Sequence, residues 1–218
     1  MRHPTKLSAL LLAVWLGASS ANVSAEQRDA AYHAYINRDY EVAGKLYGHN
    51  ARNGNSLAQF NLAMMMIRGE SSEGSPHTGV SWLNQAAEGG FAQAQFNMGL
   101  LYEHGHLVPR SQTMATEWFR RAANQGHGAA QESLATQYYL GRGAEKDERL
   151  AAFWYERAAA NGEIASQYIV ASMYESGDGM QKDLHKAMYW YVQAAKQGDQ
   201  AAYMKAQFLL KHLTQNSR

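Results

Sequence analysis

The 218-residue chain contains no cysteine. No disulfide can therefore support its fold, and its stability must come from a packed core of side chains. A bacterial lipoprotein is anchored through a cysteine at its processing site, so we expect no lipid attachment through an N-terminal signal. The composition thus excludes the disulfide-clamped and lipid-anchored classes of exported protein.

The chain also lacks an excess of charge of either sign and lacks a long apolar run. Twenty Lys and Arg residues stand against 19 Asp and Glu residues. Nucleic-acid-binding proteins usually carry a basic patch or stripe, so we expect no nucleic-acid partner. The apolar run from Leu7 to Leu16 is well short of the roughly 18 residues that a membrane span requires.

Residues 1–25 have the features of a secretory signal peptide. Arg2 and Lys6 precede the apolar run, and Val23-Ser24-Ala25 forms a small-x-small cleavage motif. We expect cleavage after Ala25, with Ala21 as a weaker site and an uncleaved anchor as the other interpretation. The remaining chain carries 18 basic and 19 acidic residues. The sequence therefore predicts a periplasmic or secreted bacterial protein.

Motifs that carry catalytic chemistry are absent. The sequence has no HExxH, GxSxG or GxxxxGK[ST] motif, and no GxGxxG motif that follows a strand. Glu145, Asp147 and Glu148 lie beside Lys146 and Arg149, which is typical of a solvated helix start. We expect no catalytic residue, no cofactor and no enzymatic activity.

The sequence does contain a repeat of 36 residues. A fixed period of this length is typical of a stacked array of supersecondary units. The period is carried by glutamines, tryptophans and two sets of glycines: Gln59, Gln95, Gln131 and Gln167; Trp82, Trp118, Trp154 and Trp190; Gly69, Gly105, Gly141 and Gly177; and Gly54, Gly90, Gly126, Gly162 and Gly198.

Each repeat has the pattern of a helical hairpin. In the third repeat Leu134 and Tyr138 follow Gln131 at steps of three and four, which is helical spacing. Gly141 can end that helix in a left-handed conformation, and Asp147 can cap the start of a second one. We therefore predict an all-α fold, an α/α superhelical solenoid of 36-residue helix–turn–helix repeats.

The fourth repeat shows a family pattern most clearly. It contains Tyr174, the pair Gly177 and Gly179, then Asp183 and, further on, Trp190-Tyr191, Ala194-Ala195 and Gly198. This pattern resembles the Sel1-like repeat, a relative of the tetratricopeptide repeat. The resemblance implies an α-superhelix that acts as an adaptor between proteins, often in bacterial envelope complexes, and does not imply a ligand.

The period also divides the chain. We predict a degenerate capping hairpin over 26–55, four repeats, and a C-terminal capping helix with its tail over 199–218. The polar residues Lys205, Gln207, Lys211 and His212 suit a cap that faces water. The tryptophans should fill the volume between hairpins, with Trp154 in the core. The four repeats cover 56–90, 92–126, 128–162 and 164–198.

His104 and His106 are the best candidates for metal ligands, because two histidines in one turn can bind Zn²⁺ when further ligands are near. The repeat predicts their spatial neighbours one unit away. Of these, only Glu70 is a possible ligand, and Arg142 would oppose a cation. We expect solvated histidines and no metal site.

The first helix of each repeat should line the concave surface of the solenoid, where residues that depart from the repeat pattern usually contact partners. Phe60, Met64, Phe96 and Leu100 could form an apolar anchor, or they could simply pack between hairpins. Glu132, Tyr139 and Tyr168 depart from their repeat positions and are better candidates for contact. The irregular turn 70–76 with His77 is a second candidate surface.

These observations favour a non-catalytic periplasmic scaffold that binds a protein partner along its concave face. One alternative is an immunity protein that neutralises a toxin delivered to the periplasm, such as a lipase. A cell-wall-acting enzyme, proposed for some cysteine-rich relatives, is the third class. The missing cysteines and missing catalytic motif argue against it.

Overall fold

The structure, a computed structural model, describes residues 25–215. The predicted signal peptide, apart from Ala25, lies outside the described residues. Within them the chain forms eleven α-helices and no strand, which confirms the all-α prediction. The helices are α1 (Ala25–Ile36), α2 (Tyr40–Arg52), α3 (Ser56–Ile67), α4 (Pro76–Glu88), α5 (Ala92–His104), α6 (Gln112–Asn124), α7 (Gly128–Leu140), α8 (Glu148–Ala160), α9 (Ile164–Ser176), α10 (Leu184–Lys196) and α11 (Gln200–Gln215).

The helices form consecutive antiparallel hairpins, each packed against the next one along the chain. The first helices of the hairpins are α3, α5, α7 and α9, and the second helices are α4, α6, α8 and α10. The cap residues predicted from the sequence act as expected: the Asp147 carboxylate accepts the backbone N–H of Leu150, and Gly141 ends α7 at a φ of 66°. No helix within 25–215 is long and apolar enough to cross a membrane.

The residue after each tryptophan of the repeats is buried in its second helix. Leu83, Phe119 and Tyr191 are fully buried, and Tyr155 nearly so. Among the four tryptophans of the described residues only Trp118 is buried; Trp82, Trp154 and Trp190 are half-buried. Trp154 does contact two neighbouring core clusters, as a side chain between hairpins should, but it is not the centre of either. Trp154 thus lies between hairpins as predicted, with its ring half-buried.

A ladder of buried glutamine amides joins successive repeats. The Gln131 Nε2 donates to the carbonyl of Ala123 at 3.1 Å, which gives this carbonyl at the end of α6 a hydrogen-bond partner. The Gln131 Oε1 in turn accepts from Asn161 Nδ2, at the end of α8, at 2.8 Å. Because a buried amide without partners is costly, this pairing explains why one polar residue recurs inside the stack. Gln59, Gln95 and Gln167 make the same bond to the carbonyls of Ala51, Ala87 and Ala159.

The second glycine of the Gly-x-Gly turns is required by a close approach between repeats. A Cβ atom added to Gly143 would lie 2.1 Å from the carbonyl oxygen of Gln112, at the start of α6. Gly179 approaches the carbonyl of Glu148 at the same distance. Thr116 Oγ1 also donates to the carbonyl of Arg142, so the turn is bound to the preceding second helix. These glycine pairs are therefore packing turns.

The last helix, α11, differs from the polar cap that the sequence predicted. Lys205 is half-buried, because its ammonium group binds the Glu175 carboxylate at 3.0 Å. Gln207 and Lys211 are exposed as expected, but so are four large apolar side chains. The cap therefore carries an apolar surface beside its polar one. The four are Tyr203, Met204, Phe208 and Leu210.

Candidate protein-interaction surface

The first helices lie side by side and are joined by hydrogen bonds between repeats. Gln137 Nε2 on α7 donates to Glu103 on α5 at 2.8 Å. Ser166 Oγ on α9 donates to Glu132 on α7 at 2.6 Å, and Lys205 continues the series from α11 to α9. Because the repeats stack in register, equivalent side chains form continuous rows across these helices. We call three rows the first-helix face: positions 60, 96, 132, 168 and 204; positions 64, 100, 136, 172 and 208; and positions 67, 103, 139, 175 and 211.

The predicted apolar anchor lies at the N-terminal end of this face and is largely committed to packing. The ring of Phe60 lies 5.4 Å from that of Phe91. The ring of Phe96 contacts that of Phe119 and stacks on His127 at 4.8 Å. Leu100 is half-buried against the same cluster as Phe96. Met64 is buried, with 9% of its surface exposed, which leaves little of it for a partner.

The centre of the face combines a carboxylate with two tyrosines. Tyr168 packs edge-on against Tyr191, with ring centroids 5.3 Å apart, and remains half-buried. Glu132 is held by Ser166, and its charge is the second cause, after burial, that raises the pKa of Glu163. Tyr139 is 40% exposed, and the Lys146 ammonium lies 5.9 Å from its ring centroid. Of the predicted contact residues, Tyr139 offers the most surface.

Two residues of this face escaped the sequence analysis. Met204 and Phe208 on α11 are 61% and 63% exposed, more than any other large apolar side chain of the described residues. They lie 36 residues after Tyr168 and Ser172, so they continue two rows of the face. The period could have identified them, because it extends into α11. The exposed apolar part of the face is therefore at its C-terminal end.

The irregular turn of the first repeat is tied to the N-terminal cap. The Tyr35 hydroxyl donates to the Glu70 carboxylate at 3.2 Å, and Arg68 donates to the same hydroxyl at 3.0 Å. Burial is the main cause that raises the pKa of Tyr35. Glu73 and His77 remain exposed, so the outer part of the turn is open to solvent.

No arrangement suited to catalysis or metal binding is found in the part of the chain that the structure describes. His104 and His106 are exposed, and no group of three or more His, Asp or Glu side chains among these residues could hold a metal ion. A cavity of about 680 Å³ lies between the turn at Gly177 and the start of α8. Its charged residues include Lys146, which binds Glu148 at 2.8 Å.

Comparison with known proteins identifies the repeat. The model of the Sel1 repeat matches residues 56–91, 92–127, 128–163 and 164–199. Among solved structures, a Sel1 repeat protein from Oxalobacter formigenes is 31% identical over 81% of this chain and 72% of its own, with a TM-score of 0.75. No curated protein gives a significant match.

Two further solved structures share the fold. A protective antigen of uropathogenic Escherichia coli strains, described as displaying an SLR fold, is 29% identical over 85% of this chain, with a TM-score of 0.78. The match spans only 41% of that longer protein. An immunity protein from Pseudomonas aeruginosa is 21% identical over 81% of this chain and 67% of its own, with a TM-score of 0.51, which shows the fold alone. Since the family model covers four consecutive repeats, the chain belongs to the Sel1 repeat family.

Proposed function

We propose that this protein is a non-catalytic scaffold that binds a protein partner on its first-helix face. Sel1 repeats are commonly protein-interaction modules, and the stack presents their first helices as one surface. The observation that carries the proposal is the exposure of Tyr139, Met204 and Phe208 along rows of this face. Exposed apolar patches rimmed by polar residues are typical of interaction sites.

The face suits a protein segment with apolar anchors. Aromatic side chains contribute much of the binding energy at protein interfaces, and Tyr139 and Phe208 supply two of them. Glu132 and Glu175 add carboxylates to the same face. A partner that places apolar side chains against the C-terminal end, with polar or basic groups beside them, would complement this surface.

Two roles share this mechanism. An adaptor would hold components of an envelope complex, whereas an immunity protein would occupy the active surface of a toxin. The second role is prompted by the immunity protein of Pseudomonas aeruginosa with the same fold, although that likeness extends to the fold alone. Both roles assume a periplasmic location, which is inferred from residues 1–25. Of these, only Ala25 is among the described residues.

The test is affinity capture from cross-linked bacterial envelope extract with residues 26–218 as bait, read by mass spectrometry. One dominant toxin-like or lipase-like protein would support the immunity role, and envelope assembly proteins would support the adaptor role. Capture of glycans without protein would contradict the proposal.

Variants of the bait then locate the surface. Tyr139→Ala and Phe208→Ala should each weaken affinity for the identified partner about tenfold or more, as interface aromatics do. Their melting temperatures should stay near that of the wild type, because both side chains are exposed. Tyr189→Ala is the matched control, since Tyr189 is 55% exposed but lies on the second helix α10. If only the control weakened binding, the partner surface would be on the second helices.

A further inference from the structure

Within residues 25–215, α11 is a first helix that no second helix follows, and its open side differs from that of the other first helices. Tyr203 takes the position of the buried glutamines, and Leu210 takes the position of the largely buried Tyr174. Both α11 residues are about half exposed. Together with Met204 and Phe208, they leave roughly 400–500 Å² of apolar surface, given about 150–250 Å² for each large side chain.

A further repeat cannot cover this surface in the regular geometry. In the four repeats, the second helix packs over a fully buried small residue: Ala63, Gly99, Ala135 or Ala171. The fit is so close that a Cβ on Gly99 would lie 2.4 Å from the ring of Phe119. In α11 the equivalent residue is Gln207, whose long side chain would block the same approach. The stack therefore cannot continue in register beyond α11.

We infer that α11 is a dimer interface, on which a second copy of the chain places its own α11 antiparallel across a two-fold axis at Gln207. A glutamine amide has both a donor and an acceptor, so Gln207 can hydrogen-bond to its own copy at the axis. Residues three and four positions from Gln207 lie on the same face of α11. These residues therefore contact the second copy on either side of the axis.

The neighbouring contacts in this arrangement are complementary. Tyr203 lies opposite Lys211 of the second copy, and Met204 lies opposite Leu210 of that copy. The chain already uses the lysine–tyrosine pairing elsewhere: the Lys186 ammonium lies 5.0 Å from the ring centroid of Tyr174, and Lys205 lies 5.9 Å from that of Tyr191. The antiparallel arrangement also opposes the two helix dipoles.

The available area agrees with such an interface. A stable interface buries about 800 Å² on each partner, of which a little over half is apolar. The four apolar side chains of α11 supply roughly that apolar share, and Gln207, Lys211 and the exposed Gln200 supply part of the polar remainder. The two-fold arrangement also closes on itself, so it covers both copies of the patch at once.

Sedimentation equilibrium over a concentration series is the first test. We expect two chains per particle for the wild type. Gln207→Glu, which places two carboxylates at the axis, should give single chains that remain folded. Gln85→Glu, at an exposed glutamine on α4, is the matched control and should remain dimeric. A wild type that is monomeric at all concentrations, or a Gln207→Glu variant that still dimerises, would overturn the inference.

The absence of cysteine allows a second, covalent test. Gln207→Cys should form an intermolecular disulfide under mild oxidation, because residues at the axis of an antiparallel helix pair approach each other. Gln85→Cys should not. Equal cross-linking of both variants would contradict the placement of the axis. The dimer would cover Met204 and Phe208, so it competes with a partner for this end of the first-helix face. The two proposals still fail separately: a monomer that captures its partner would overturn the dimer alone, and a dimer that captures no protein would overturn the proposed function alone.

Discussion

His127 is the N-cap residue of α7, at the start of the third repeat, and its imidazole is half-buried. Its Nδ1 accepts the backbone N–H of Ala130 at 3.2 Å, and its ring stacks on Phe96. Its Nε2 lies 2.9 Å from the side-chain oxygen of Gln93. Burial lowers the pKa of His127 below its usual value. Because Nδ1 accepts a hydrogen bond, protonation would remove the cap of α7.

This geometry predicts a stability that depends on pH. The pKa of His127 is lower in the folded than in the unfolded chain, so the unfolded chain binds the proton more readily. The contribution of His127 to the free energy of unfolding should be complete above about pH 6.5 and should be lost as the pH falls from there through the folded pKa. Urea unfolding at pH 7.5 and 5.5 measures the loss.

The control for this experiment is His127→Asn, because Asn55 caps α3 at the equivalent position through its side-chain oxygen. Asparagine keeps the cap acceptor and removes the titration. The variant should lose less stability between the two pH values than the wild type. Equal losses would mean that the pH dependence arises from other groups.

Phe119 and Trp154 allow a direct comparison of core packing. Phe119→Ala should lower the free energy of unfolding by about 3–5 kcal/mol, because a fully buried ring leaves a cavity. Trp154→Ala should lower the free energy of unfolding by about half as much, because that ring is only half-buried. The Arg157 guanidinium carbon, 5.9 Å from the ring centroid, covers part of it. Urea denaturation measures both. If the two costs were reversed, the assignment of Phe119 as fully buried and of Trp154 as half-buried would be wrong.

Among the elements, the turn between α7 and α8 offers the sharpest test of how repeats dock. Gly143 and Gly162 both have left-handed backbones, with φ values of 68° and 94°. A Cβ on Gly143 would strike the backbone of Gln112, whereas a Cβ on Gly162 meets open space. Both alanine variants should cost roughly 1–2 kcal/mol for the strained backbone.

Gly143→Ala should cost more than Gly162→Ala, because it also forces the turn away from the start of α6. The loss should appear as faster amide hydrogen exchange in the turn and the first residues of α6. Equal destabilisation by the two variants would show that the close approach does not contribute.

Across the protein, each ladder glutamine binds the end of the preceding second helix, and Gln131 also binds the end of the second helix of its own repeat. Gln131→Leu removes the donor to the Ala123 carbonyl and the acceptor for Asn161, so we expect a cost of about 1–3 kcal/mol. Gln59→Leu should cost about 1 kcal/mol less, because the residue equivalent to Asn161 is Gly89, which has no side chain. Equal costs in chemical denaturation would mean that the hydrogen bond to Asn161 adds no stability.

The period of 36 residues was enough to predict the all-α solenoid and the caps at Asp147 and Gly141. The repeat spacing can be read from the sequence because each repeat contacts only its neighbours, so the same residue types are needed at the same positions of every repeat. For this reason a recurring glutamine, tryptophan or glycine can be recognised without coordinates.

Other features depend on how the helices rotate and on where the stack ends. Trp154 and Tyr155 are adjacent in sequence, and only the packing of α8 shows that Tyr155 is the buried one. Phe208 continues a row of the first-helix face, yet it is exposed because no second helix among residues 25–215 packs over it. The repeat thus determined the architecture, whereas burial and the open surface at α11 were decided by contacts between residues distant in sequence, which no local pattern records.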